Sequence, residues 1–452
     1  RAVVTAVLAA STLLWLSGPP AGAWSSNDGA VAVFSATDWS VARSVAVDSS
    51  GNVYTTGGFG GTVDFDPGAG TTNLTSNGHT DAFVSKLDSS GDLVWAKSFG
   101  GTSTDTGYSV AVDSSGNVYT TGSFYDTVDF DPGAGTTNLT SNGNKDVFVL
   151  KLDSSGDYVW ATRFSGTSNE DGYSVAVDSS GNVYTTGIFI GTVDFDPGAG
   201  TTYLISIGVQ DMFVSKLDSS GNLVWAKSVG NAVGFQTARS VAVDSSGNVY
   251  TTGYFQGTVD FDPGAGTAEL TADGRDVFVS KLDSSGNYVW AKSFSGTNNE
   301  DGYSVAVDSS GNVYTTGNFN ETVDFDPGAG TAELTADNPN VFVSKLDSSG
   351  NYVWAKSFGG TDLLGGVAYS VAVDSSGNVY TTGIFYNTVD FDPGAGTTNL
   401  TSNGQADVFV SKLDSSGNYV WAKSFGGTIR DTAYSVAVDS SGNVYTAGLF
   451  YS

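Results

Sequence analysis

The residues with the most capacity for chemistry in this chain are aspartates set two apart. Asp64 and Asp66 stand in the string DFDPG, and the same string pairs Asp129 with Asp131, Asp194 with Asp196, Asp260 with Asp262, Asp324 with Asp326, and Asp390 with Asp392. On a strand, residues i and i+2 share a face, so each pair brings two like charges together. Such carboxylates repel unless a cation or a hydrogen-bond donor lies between them. Calcium takes carboxylate and carbonyl oxygens as ligands. These twelve aspartates are therefore the calcium candidates, and Ca2+ is the one cofactor the sequence suggests. The competing reading is local: Asp66 opens a turn that Pro67 and Gly68 fill, and Asp64 faces water. The loops lack the DxDxDG run and closing Glu of an EF-hand.

Other chemistries lack their parts. Acyl transfer needs a nucleophile beside an oriented base. His79 is the only histidine, in the loop SNGHTD, and nothing fixes a partner for it. Paired carboxylates cleave glycosides, but pairs repeated in every unit mark no single special site. No catalytic residue is assigned, and the chain is expected not to be an enzyme. The net charge of −29, with only 18 Lys and Arg, repels nucleic acid and anionic membranes. Without cysteine there is no disulfide, thiolate metal site or thiol nucleophile.

The elements that must position these residues come from a repeat. The string SVAVDSSGNVYTTG starts at Ser44 and returns at Ser109, Ser174, Ser240, Ser304 and Ser370, with SVAVDSSGNVYTAG at Ser435. The spacing is 65, 65, 66, 64, 66 and 65 residues, and a fixed period of this kind names a repeat architecture. A second string, KLDSSGxxVWA or a close variant, begins at Lys86, Lys151, Lys216, Lys281, Lys345 and Lys412. Each DSSG is a turn between two apolar runs, with Asp accepting backbone N–H groups and Gly in the left-handed conformation. That gives four strands per unit: about 44–48, 52–59, 82–87 and 93–99 in the first. Both faces of the last strand are partly apolar, as in sheets covered on two sides. The small first strand suits the axis of a propeller, and Trp95, Trp160, Trp225, Trp290, Trp354 and Trp421 suit its wider periphery.

The ends complement each other. Residues 30–34, AVAVF, sit where other units have their last strand, while the seventh copy supplies only a first and second strand. The expected fold is therefore all-β: a seven-bladed β-propeller of four-stranded antiparallel blades, the last blade closed by N- and C-terminal strands. A longer superhelical array is the alternative. Residues 1–23 stand outside the propeller of 24–452. Arg1, an apolar run to Leu16 and an A-x-A site at Ala21 and Ala23 resemble a secretory signal peptide. The alternative is a retained strand near residues 12–16. The run is too short for a stable transmembrane span.

The units, as in Val45 to Gly68, resemble the SBBP family of bacterial β-propeller repeats and, more distantly, NHL-type repeats. The resemblance covers about 44–452. It implies a secreted or cell-surface protein and brings no catalytic residue with it. The function expected is a non-catalytic structural, adhesion, scaffold or filament-forming module, located outside the cell. The alternative is a calcium-dependent or glycan-binding propeller. The expected partner is a protein or extracellular polymer, including further copies of the chain. Two connections break the repeat with apolar residues, at Phe235 and at Leu363 and Leu364, and these are the partner-binding candidates. Asp105, Asp171, Asp301 and Asp431, with Glu170 and Glu300, lie in the connections between units and read as a solvated acidic rim.

Overall fold

A computed structural model describes residues 3–10, 29–36, 39–360 and 365–451. The first unit shows how a repeat folds. Its strands are Ser40–Val47, Val53–Phe59, Asp81–Leu87 and Leu93–Phe99, paired in that order as an antiparallel sheet. Both turns are the DSSG strings. Asp48 Oδ1 accepts the N–H of Ser50 and of Asn52, both at 2.9 Å. Its Oδ2 accepts Asn52 Nδ2 at 2.7 Å and the Tyr54 hydroxyl at 3.0 Å. Gly51 closes the turn with φ 81°, which a side chain rarely tolerates. Burial works against the Asp48 carboxylate, but these hydrogen bonds together hold it below the ordinary carboxylate value.

The count of blades is corrected by the hydrogen bonding. Four sheets stand alone as four-stranded antiparallel blades, at 40–99, 106–164, 171–229 and 366–425. The remaining strands do not make three more of that kind. The units at 237–296 and 301–358 form one eight-stranded sheet, because Ser295 and Gly296 pair with Asp324 and Val323. The strands Thr432–Val438 and Val444–Tyr451 join Val3–Ala10, Gly29–Ala36 and the hairpin Thr62–Asp64 with Asn73–Thr75 in a six-stranded sheet. There Val3–Ala10 runs parallel to both its neighbours. The physical reason is connection length. A DSSG turn can only reverse the chain, whereas residues 11–28 separate the two N-terminal strands, enough for a parallel return. The suggested strand at residues 12–16 lies outside the described residues.

The same hairpin explains why sheets merge. In the first unit, Asp64 and Val63 pair with Ser35 and Ala36. Elsewhere Ser165 bridges Asp194, and Gly359 bridges Asp390. The TVDFDPG stretch is thus a latch onto the preceding unit. Its phenylalanine drives the contact: Phe130 is 1% exposed, stacks on Phe99 of the unit before at 6.1 Å, and meets Phe124 and Phe148 of its own unit at 5.4 and 5.0 Å.

The core lies between units. One cluster joins Tyr54, Val84, Trp95 and Phe99 to Val110, Val118, Phe124 and Leu150 of the next unit. Each buried aromatic of this size contributes about 1.5–3 kcal/mol. The tryptophans tie units together: Trp95 Nε1 donates to Ser154 O at 3.3 Å, and Trp160, Trp225, Trp290 and Trp354 repeat the bond to Ser219, Ser284, Ser348 and Ser415. On the inner edge, the serine of SVAV does the same work. Ser44 Oγ accepts Val110 N–H, and the series continues through Ser109 to Val175, Ser174 to Val241, Ser240 to Val305, Ser304 to Val371 and Ser370 to Val436. Ser435 then accepts Val45 N–H at 3.1 Å and closes the circuit. An open sheet edge leaves N–H groups unpaired, and the hydroxyl of the neighbouring unit satisfies one of them.

Candidate functional site on the axis

The innermost strands carry one irregularity each. In the second unit Ser109 faces Thr121 and Gly107 faces Gly122, so Tyr108 is skipped in the pairing. The same β-bulge skips Arg43, Tyr173, Arg239, Tyr303, Tyr369 and Tyr434. Bulges bend a strand and re-aim a side chain. The glycine of VYTTG permits them. A Cβ on Gly122 would run into the carbonyl oxygen of Thr106, and its counterparts, Gly187 against Asp171 among them, are placed alike.

The bulged side chains converge. Arg43, Tyr108, Tyr173, Arg239, Tyr303, Tyr369 and Tyr434 line one well of about 160 Å³. Their rings pack edge to face or tilted, with Tyr108 5.7 Å from Tyr173, Tyr303 5.2 Å from Tyr369, and Tyr369 5.5 Å from Tyr434. The Arg43 guanidinium lies 4.9 Å from the centre of the Tyr434 ring, and that of Arg239 lies 5.0 Å from Tyr303, within cation–π range. Burial pushes the Tyr369 hydroxyl up to about 12. Burial first, and then Asp171, raises Tyr173 further still. These phenols stay protonated and serve as donors.

Around the well the acids are engaged. Lys145 Nζ is 2.7 Å from Asp171, and Arg275 is 3.5 Å from Asp301. The expected solvated rim is corrected here: Glu170 and Glu300 are 0% exposed and Asp105 1%. Each connection is drawn inward between units by backbone bonds, as from Glu300 N to Arg275 O at 2.8 Å and from Asp105 N to Thr80 O at 2.8 Å. There the acids meet a buried aspartate of the third strand of the preceding unit. Burial, then Asp146, pushes Glu170 up to about 8; burial, then Asp276, does the same to Glu300. Burial raises Asp276 to about 7 and both Asp81 and Asp105 to about 6.

The DFDPG aspartates sit in the latch, far apart from one another around the ring. Asp64 Oδ1 accepts the N–H of Asp66 at 3.1 Å and of Thr72 at 2.8 Å, and Asp66 Oδ1 accepts Gly68 N–H at 2.8 Å. The other pairs repeat this, as Asp129 does with the N–H of Asp131 and Thr137. Asp66 Oδ2 rests against Gly70, where a Cβ would collide with it. Backbone donors thus answer one oxygen of each carboxylate. Phe235 is exposed at its loop, beside Val233, which is 82% exposed. Leu363 and Leu364 lie outside the described residues. His79 is exposed.

The axial residues lie just outside the shared string and are not marked by it. Their signal is the residue just before SVAV, which is Tyr five times and Arg twice while its neighbours barely change.

Four stretches, 94–123, 159–187, 289–321 and 420–449, match the family model of the SBBP β-propeller repeat. The SBBP resemblance read from the repeats is borne out over these four stretches, and the fold is that of a β-propeller. An uncharacterized WD repeat-containing protein, L264 of Acanthamoeba polyphaga mimivirus, is 25% identical over 458 residues, covering 86% of this chain and 32% of that protein. The regulatory protein FlaEY of Caulobacter vibrioides is 32% identical over 109 residues, covering 24% of this chain and 11% of its own. The chain therefore spans about a third of the first relative and about a tenth of the second. Among solved structures, Sqt1 from Chaetomium thermophilum aligns with a TM-score of 0.42 at 10% identity, covering 92% of this chain and 96% of that one. A protein of unknown function from Bacteroides caccae aligns at 0.37 and 9%, covering 81% and 94%. Among the described residues no helix is long and apolar enough to cross a membrane.

Proposed function

We propose that the chain is a non-catalytic adhesion or scaffold module working outside the cell, through one small contact repeated around its rim. The observation that carries this reading is a row of valines. Val94, Val159, Val224, Val289, Val353 and Val420 each stand second in the outermost strand of their unit, and each is 44–51% exposed. Backbone N–H and C=O groups along an outermost strand can pair with another chain, and here an exposed β-branched side chain recurs beside them. Equivalent weak contacts on one rigid body add up through effective concentration. The partner is a protein or an extracellular polymer, with further copies of this chain giving a filament. The apolar run ahead of Ala21 and Ala23 supports the location outside the cell.

Replacing all six valines by threonine keeps shape and strand propensity while making the patch polar. Self-association in light scattering should disappear while the β-sheet circular dichroism persists. Association of equal strength in the substituted protein would overturn the reading.

A further inference from the structure

The well on the axis is built unlike the rest of this surface. The protein carries a net charge of −29, yet two of its few arginines line this well together with five tyrosines. Among the described residues neither Arg43 nor Arg239 has a carboxylate within ion-pair distance, because Asp171 is held by Lys145 and Asp301 by Arg275. The Nε of both arginines is buried without a hydrogen-bond partner among the described residues. A buried donor on a cation that lacks an acceptor is costly, so the arrangement calls for something to complete it.

The geometry fits an acceptor of a definite kind. A guanidinium stacked on a phenol spends its face and leaves its in-plane N–H fork free. That fork matches the paired oxygens of phosphate, sulfate or carboxylate. Tyr173 already gives its hydroxyl to Asp171 Oδ2 at 3.4 Å, and Tyr108 accepts from Ser123 at 3.4 Å. Tyr303, Tyr369 and Tyr434 remain as the ring members flanking the two arginines on one side. The β-bulges that aim these residues lie within paired strands and are permitted by the facing glycines, so the site is held by backbone geometry rather than by flexible loops.

We propose that the well is a binding site for a small oxyanion, gripped by Arg43 and Arg239 and hydrogen-bonded by the surrounding tyrosine hydroxyls. The inference stands apart from the rim contact: a protein with inert valines would still bind the ion.

Inorganic phosphate and sodium sulfate, each titrated into the full chain, are the probes. Two readouts apply: the melting temperature, which rises when a ligand binds only the folded state, and the ultraviolet difference spectrum of the ring tyrosines. Both should saturate together for the unaltered protein. Arg239→Gln should weaken the apparent affinity at least tenfold, and Arg43→Gln with Arg239→Gln should abolish the spectral change. Should these variants fail to fold, Arg239→Lys decides: it keeps the charge but loses the fork, so weaker binding supports the site and unchanged binding overturns it. Absence of saturable change with both ions in the unaltered protein overturns it as well.

Discussion

At the scale of single residues, the repeat is specified by side chains that answer particular backbone groups. Gly187 shows how strict this is. A Cβ there would strike the carbonyl oxygen of Asp171, and backbone cannot give way as a side-chain tip can. Gly187→Ala should lower stability by about 3 kcal/mol, read from urea unfolding, and should disturb Tyr173 on the axis. An alanine variant of full stability would show that the close approach at the bulge does not require glycine. The buried acids give a pH signature. In the unfolded chain Glu170, Glu300 and Asp276 ionise near 4, whereas in the fold burial holds their protons to about 8, 8 and 7. Between those limits the unfolded state loses protons first, so stability present below pH 4 is lost as pH rises through 8. The turn aspartates Asp48, Asp113 and Asp178 act oppositely, since their folded values are lowered and their contribution fades only as pH falls below about 4. The melting temperature should therefore be higher at pH 5.5 than at pH 8.5, and Glu170→Gln with Glu300→Gln should flatten that slope. An equal slope in the double variant would assign the effect to the overall negative charge instead. The chemistry of DSSG was legible because the turn is local, with its backbone donors and their acceptor within four residues. The acid pairs were not, because Asp276 lies in a strand and Glu300 in the connection that leaves its unit, and the two meet only after folding.

At the scale of elements, the unit was readable and the joints between units were not. The outer strand 93–99 has the same limits in the structure as in the sequence reading, because a Gly turn and a period-2 pattern bound it. The latch is different. TVDFDPG reads as a strand with a turn, and nothing local tells that it reaches back to the preceding unit. That reach turns two of the expected blades into one eight-stranded sheet. It also explains the shared phenylalanine. Phe195 is fully buried and meets Phe164 of the preceding unit at 4.9 Å and Phe213 at 4.9 Å. Phe195→Ala should cost about 3–5 kcal/mol, with the loss felt across the joint rather than within one unit. Hydrogen exchange checks this: amides of 158–164 should lose protection along with those of 192–205, and protection lost in the second segment alone would mean that the hairpin is no latch. The inner edge offers a smaller version. Ser109→Ala leaves Val175 N–H without its acceptor, which should cost about 1–3 kcal/mol in urea unfolding.

At the scale of the whole molecule, identical units placed around one axis create two surfaces that no unit has alone. One is the axial well, where a single position per repeat converges and where variation between Tyr and Arg sets the chemistry. The other is the rim, where Val94 and its counterparts recur with little change in exposure. The circuit of serine hydroxyls, closed from Ser435 to Val45, holds both in register. A rim that acts by many equivalent contacts leaves a quantitative mark. If each valine contributes alike, replacing two, four and six of them by threonine should weaken association in even steps, whichever units are chosen first. Analytical ultracentrifugation of such a series measures this directly. Even, order-independent losses are expected, and a series in which one unit accounts for the whole loss would rule out equivalent contacts.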